Sequence, residues 1–418
     1  MSNKRKIISI CIVIAIIISM LLSFQTVKLS LSVLVNQKDA SSQENKLVIY
    51  TYDSLLKWGE NYTEVYDKVF GEFERRYNVT IELVEFSSAR NALLRLVEEK
   101  DNPKADIIIG IDNILAIEAI KEDILLQYTP KNLTYIKPEL IDALDPTHHV
   151  IPFDYGLIAL VYDTKYINET TYPEISHLTF EDLTDPKFSG TLIVEDPTQS
   201  STGLSFLLWQ IAIYSKLLNK DWKKWWTTVK DNIKVTKSWG DAYDIFLEES
   251  AGRHIVVSYG TDGAYSYYSY NSTRYNATLV YYNGKPYGWL QVEGIGIVKN
   301  APHEDLAKNF TEWFLSVEVQ QHIPLNNWMY PANKNVTLPE AYKYAINPDD
   351  VEIANLLLNQ TEIEECLHDW LYDWTELMVI GEEPTEGPDT TIYMIAGAII
   401  GIAFAVLVVI VLKRKRII

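Results

Sequence analysis

Leu47-Val-Ile-Tyr-Thr51, Val79-Thr-Ile-Glu-Leu-Val-Glu85 and Ala105-Asp-Ile-Ile-Ile109 are three short β-branched runs, and the stretches between them, around 63–77 and 88–100, carry helical spacing. Strand alternating with helix in this order predicts βαβ units and a mostly parallel sheet. A second set begins at Gly190-Thr-Leu-Ile-Val194, passes through helices at about 203–218, 221–230 and 239–249, and reaches His254-Ile-Val-Val-Ser258. The chain then returns to strands and finishes in helices near 303–320 and 351–378. The architecture this order predicts is α/β, two lobes with a cleft between them. Ligands of open α/β sheets bind beyond the carboxyl ends of the strands. Here those positions hold Tyr52-Asp53-Ser54, Phe86-Ser87-Ser88, Gly110-Ile111-Asp112-Asn113, the run Glu195 to Gly203, and Tyr259-Gly260-Thr261-Asp262. Aromatic, carboxylate and hydroxyl groups dominate.

Outside this region the chain changes character. Residues 392–412 are an unbroken uncharged apolar stretch closed by Lys413-Arg414-Lys415-Arg416, and residues 7–24 are apolar behind Lys4-Arg5-Lys6. At about 1.5 Å per helical residue the former spans a hydrocarbon core of about 30 Å, so it reads as a transmembrane helix. The positive-inside rule places both basic clusters in the cytoplasm and everything between them outside. The expected division is a signal peptide or N-terminal anchor over 1–24, a polar linker over 25–45, a two-lobed ectodomain over 46–380, a stalk over 381–391, the transmembrane helix 392–412 and a cytoplasmic tail 413–418. Nine N-x-S/T sequons, at Asn61, Asn78, Asn132, Asn168, Asn271, Asn276, Asn309, Asn335 and Asn359, argue for a glycosylated outer surface. Cys11 lies in the leader and Cys366 stands alone, so the processed chain has no internal disulfide and rests on its core. A net charge of −19, more negative still once the two basic clusters are set aside, speaks against nucleic acid as a partner and is compatible with a cationic ligand.

Ser200-Ser201-Thr202-Gly203 precedes the apolar run Leu204 to Trp209, which makes it a helix start. Free N–H groups and the helix dipole there suit an anion, although a plain Ser cap reads the same way. Tyr52, Trp239, Tyr259, Tyr265 and Trp328 fall at strand ends, helix starts or loops. Aromatic faces stack on planar rings and attract cations, yet taken singly each reads first as core. Trp209, Trp370 and Trp374, in apolar helical settings, read as core. Asp53, Asp112, Asp154 and Asp262 offer negative charge, against the ordinary use of Asp in turns and caps; Glu60 and Glu64 read as surface. Motifs for a G-x-S-x-G elbow, a phosphate-binding loop and an H-E-x-x-H metal site are missing from the sequence. His148-His149 and Glu365 with His368 do not make a metal set, and Cys366 in a late amphipathic helix reads as a buried structural thiol.

Leu47-Val-Ile-Tyr-Thr-Tyr-Asp-Ser54, Ala105 to Asn113, Pro152-Phe-Asp-Tyr-Gly156, Val161-Tyr-Asp163, Asp196-Pro197, Leu207-Leu-Trp209, Val235-Thr-Lys-Ser-Trp239 and Asn327-Trp-Met-Tyr-Pro331 closely resemble, in this order from about 47 to 338, the thiamine-binding solute receptors of ABC importers. The resemblance implies a type II periplasmic-binding-protein fold closing around thiamine or its mono- or diphosphate. It implies no enzyme activity and no cofactor beyond that ligand. It also implies a permease with a cytoplasmic ATPase as partner. Tyr52, Tyr265 and Trp328 would hold the ligand ring, with Trp239 nearby. Polar contacts would come from Asp53, Ser88, Ala89, Ser200, Ser201 and the turn Tyr259, Gly260, Thr261, Asp262. This chain departs from the family at Ser88-Ala89, where an acidic residue and a glycine are expected. Thr202 stands in place of a proline, and Asp262 in place of a small hydroxyl residue. Those departures leave the thiamine form open. The alternatives are the same fold tuned to another cation or to an oxyanion solute, and a thiamine-processing enzyme, for which the sequence supplies no cleft cysteine.

Overall fold

The computed structural model describes residues 46–379. Strand β1 (Lys46–Tyr52) lies parallel to β2 (Thr80–Phe86) through an uninterrupted register from Lys46 opposite Thr80 to Tyr52 opposite Phe86. The intervening helix α1 (Tyr62–Tyr66) runs through a π-helical turn, Asp67–Gly71, into α2 (Glu72–Tyr77), which ends on Asn78 in the left-handed region. After β2 come α3 (Ala89–Glu98), β3 (Ile107–Asp112), parallel to β1, and α4 (Leu115–Lys121). All six residues of β3 are buried, as expected of a parallel strand covered on both faces.

The second lobe repeats the plan. Strand β4 (Val150–Asp163) leads into it, followed by β5 (Leu192–Glu195), α5 (Ser201–Ala212), α6 (Lys223–Val229), β6 (Lys234–Thr236), α7 (Trp239–Leu247) and β7 (Ile255–Tyr259). Helix α8 (Asp262–Tyr270), β8 (Tyr275–Thr278) and β9 (Lys285–Val298) return the chain to the first lobe, where α9 (Glu304–Phe314) packs. The main sheet runs β2-β1-β3-β9-β4-β7-β5-β6. Within each lobe the βαβ strands are parallel, but β4 and β9 are antiparallel to each other and to their neighbours in the main sheet. Each belongs to both lobes. β9 pairs with β3 from Glu293 to Ile297, and β4 pairs with β7 from Ile158 to Tyr162. The parallel expectation therefore holds for the lobes and fails for the two strands that join them. Pro152 and Asp154 in β4, and Gly288, Glu293, Gly294 and Gly296 in β9, interrupt the apolar pattern that marks a strand.

Two boundaries also differ. The helix expected over 351–378 begins only at α10 (Gln360–Val379), because Asn359 caps it by accepting from the Glu362 N–H at 2.8 Å. The residues before it form a short strand, Glu352–Ile353, and a 3₁₀ turn, Ala354–Leu357. The helix expected over 303–320 breaks at Ser316, whose backbone is extended.

Each lobe has its own core. Phe70, Phe73, Phe310 and Phe314 anchor the first, and Trp209, Trp225, Trp226 and Trp374 the second. Trp374 of α10 meets Trp226 of α6 edge-on at 5.7 Å, which docks the last described helix on the second lobe. Trp209 and Trp374 are core as expected and Trp370 is half-buried, as is Cys366, which is less enclosed than a structural thiol should be. No helix among the described residues is long and apolar enough to cross a membrane. The stretches 7–24 and 392–412, with 25–45, 381–391 and 413–418, lie outside them.

Asp163, at the end of β4, is buried and accepts from Arg274 Nε at 3.0 Å and Nη2 at 2.7 Å. Arg274→Ala leaves that carboxylate without its partner. The expected loss is about 1–2 kcal/mol, tempered by the partial exposure of the guanidinium, and a urea unfolding midpoint measures it.

Candidate ligand cleft between the lobes

A cavity of about 450 Å³ opens between the carboxyl ends of the two sets of parallel strands. Four helices present their amino ends to it: α3, α5 and α7 through their caps Ser88, Ser200 and Ser238, and α8 through its first residue, Asp262. The three serine hydroxyls accept from the backbone N–H groups of Asn91, Gly203 and Asp241 at 3.2, 3.4 and 3.1 Å. Ser200 is thus both a helix cap and a cavity residue. The partial positive charge at each helix start favours an electronegative atom of a ligand.

The walls are aromatic. Trp58, from the loop after β1, lies 5.0 Å from Trp239 and 6.1 Å from Tyr265, both edge-on, so the first lobe touches the second through indole. Tyr265 in turn meets Trp328 edge-on at 5.2 Å. Trp328 Nε1 donates to the Trp58 backbone carbonyl at 2.9 Å, tying these two residues of the first lobe together, while Trp239 Nε1 donates to Ser258 Oγ at 2.9 Å. Trp328 has a φ of +55°, a left-handed conformation that a bulky side chain rarely adopts. Gly110, with φ of +101°, lets the Tyr52 ring approach the backbone where a Cβ would otherwise stand.

The floor is acidic. Tyr52 donates to Glu293 Oε2 at 3.0 Å and accepts from Asn327 Nδ2 at 3.0 Å. Asn327 also donates to Asp154 Oδ2 at 2.7 Å, and Gln291 Nε2 donates to both Tyr259 and Glu293. Burial pushes Glu293 up to about 7 and raises Asp154 well above the usual carboxylate range. Burial likewise pushes Asp262 up to about 7, against a Ser258 hydrogen bond that works the other way. The lining carries Asp53, Asp244, Asp262 and Glu293 against one base, Lys57, which is already paired with Glu85 at 2.6 Å. Such a cavity favours a cationic, flat-ringed molecule.

The site residues that the resemblance implied all line this cavity except Gly260 and Thr261, whereas Asp154, considered as a source of charge, does not. Those two lie behind it: Gly260 donates to the Leu157 carbonyl at 2.8 Å and Thr261 is wholly buried. Asp112, considered as a source of charge, instead caps α4 by accepting from the N–H groups of Ile114 and Leu115 at 2.9 and 2.8 Å. Sequence reasoning passed over Trp58, Tyr243, Asp244, Glu293 and Asn327, which also line the cavity. One signal was available. A glutamate inside the apolar run Leu290 to Val298 has no reason to be buried unless it faces something polar.

Known proteins share this sequence pattern and fold. The family of bacterial extracellular solute-binding proteins matches residues 68–353. The thiamine-binding periplasmic protein of Escherichia coli K12 is 30% identical over 331 residues, 78% of this chain and 92% of that protein. Its Brucella melitensis counterpart is 28% identical over 347 residues, covering 82% and 96%. Among solved structures, a periplasmic thiamin binding protein superimposes with a TM-score of 0.67 at 28% identity, covering 80% of this chain and 96% of that one. Iron-bound HitA from Pseudomonas aeruginosa shares the fold at 18% identity and a TM-score of 0.60.

Proposed function

Because the chain belongs to the family of bacterial extracellular solute-binding proteins, we propose that its cleft captures thiamine outside the cell and delivers it to the membrane permease of an ABC importer. The observation that carries this reading is the aromatic box of Trp58, Trp239, Tyr265 and Trp328 standing over an acidic floor. Thiamine is a flat aminopyrimidine joined to a permanently cationic thiazolium, which suits both surfaces. The site residues of this reading are Tyr52, Asp53, Ser88, Ala89, Ser200, Ser201, Trp239, Tyr259, Asp262, Tyr265 and Trp328, to which the geometry adds Trp58 and Glu293. Capture draws the lobes together, since ligand contacts both and so stabilises the arrangement in which they meet.

The reading is of a binding protein rather than an enzyme, as the relatives are binding proteins by name; Cys366, the cysteine among the described residues, lies on α10, outside the cavity lining. The apolar stretch 392–412 with its basic tail tethers the receptor to the membrane as a single-pass protein, with the ectodomain 46–380 carried on the stalk 381–391 and supplied to the cell surface by the leader 1–24. Glycans on the exposed sequons Asn61, Asn78, Asn271, Asn309, Asn335 and Asn359 accompany that location.

Calorimetric titration of the purified protein with thiamine, thiamine monophosphate and thiamine diphosphate tests the proposal. Thiamine is expected to bind with a Kd below about 1 μM. Heat from none of the three would overturn the reading. Asp262 adds a carboxylate to the cavity, so the phosphates should bind more weakly than thiamine. Asp262→Ser is expected to narrow that gap by about tenfold, the effect of one nearby charge at an effective dielectric of about 20.

A further inference from the structure

Asp154 and Glu293 stand directly opposite each other on β4 and β9, the two strands common to both lobes. Residues facing each other in an antiparallel ladder project to the same side with Cβ atoms about 5 Å apart, where two like charges repel. Asp154 is 0% exposed and Glu293 7%, and the pairing shifts register immediately after Glu293. Among the described residues neither carboxylate forms an ion pair. The groups that face them are Tyr52 from β1, Asp112 from β3 with Arg90 beyond it, Tyr259 from β7, Tyr342, and the neutral amides of Gln291 and Asn327. None of these supplies a cation in contact, and Asp154 Oδ1 has no hydrogen-bond partner at all. Glu293 opens onto the cavity, whereas Asp154 does not.

We propose that Glu293 is the counter-ion for the ligand's positive charge, and that the Asp154–Glu293 pair is protonated in the empty cleft and gives up the Glu293 proton to solvent on capture. The inference rests on thiamine being the ligand. Two buried facing carboxylates without a cation cannot both ionise at tolerable cost. A thiazolium entering the cavity supplies the missing charge at the one carboxylate that reaches it. Asp154, sealed behind, keeps its proton. Coupled in this way, binding is tightest where Glu293 is already ionised, and it weakens as the pH falls through the range in which the free carboxyl takes up its proton.

The full-length protein is titrated with thiamine in phosphate and in Tris at pH 7. The measured enthalpy is expected to differ between the buffers as release of about half a proton requires, and binding at pH 6 should be about tenfold weaker than at pH 8. Glu293→Gln is expected to bind more weakly, with no buffer dependence and no pH dependence between 6 and 8. Asp262→Asn, which removes the other cavity carboxyl of similar behaviour, should retain the buffer dependence. Asp154→Asn exchanges a protonated acid for a neutral amide of the same shape and should leave the buffer dependence in place. A wild-type enthalpy independent of buffer, or proton release that survives in Glu293→Gln, overturns the proposal. Melting of the ligand-free protein separates this from failure of the thiamine reading. A carboxyl raised on folding withdraws stability as pH rises through its folded value, so the melting temperature should fall between pH 5 and 8 in the wild type and fall less in Glu293→Gln. An unchanged slope in the variant overturns the acid pair whatever the cleft binds.

Discussion

Trp328→Ala is expected to weaken thiamine binding by about 100-fold, about 2.7 kcal/mol, in a calorimetric titration. The indole is 6% exposed, meets Tyr265 at 5.2 Å, and is fixed by its hydrogen bond to the Trp58 carbonyl, so its loss removes one wall and loosens another. The backbone sharpens the test. With φ of +55° the residue is held in a conformation that alanine also resists and glycine adopts freely. Trp328→Gly should therefore be more stable than Trp328→Ala by about 1 kcal/mol while binding no better. A glycine variant that binds like the wild type would remove Trp328 from the site. An alanine variant as stable as the glycine one would mean that the left-handed backbone carries no strain.

Gly110→Ala is the second large effect. A Cβ there would sit 2.4 Å from two atoms of the Tyr52 ring, and the backbone φ of +101° is unfavourable for any side chain. The ring has little room to retreat, because its hydroxyl is held between Glu293 and Asn327. The expected cost is about 2–4 kcal/mol in denaturant unfolding, combining overpacking with backbone strain. Binding should fall by at least about tenfold in the fraction that remains folded, since Tyr52 must leave its place over the acidic floor. Normal stability with normal binding would mean that Tyr52 is free to move, contrary to its hydrogen bonding.

The lobes were legible because their strands are short apolar runs separated by helices, a pattern that needs no long-range information. The strand-end loops were legible for the same reason, and they supplied most of the cavity. The connection between the lobes was not. β4 and β9 bury polar and glycine residues at the positions where they cross, so the features that make them part of the site erase the periodicity that marks them as strands. Trp58 was hidden differently: it follows a strand end by several residues of loop, and only the fold brings it against Trp239 from the other lobe. Gly260 and Thr261 err the other way. They sit in the right turn, but it is Tyr259 and Asp262 on either side that face the cavity.

The last described helix, packed through Trp374 onto Trp226, ties the outgoing chain to the second lobe, while the incoming chain starts in β1 of the first. A leash fastened beyond residue 381 would accordingly load one half of the receptor and leave the other half unencumbered, turning on the ladder formed by β4 and β9. On that proposal the fastened half would act as a mount and the other as a jaw, and the grip could open and shut without the whole body having to leave its moorings.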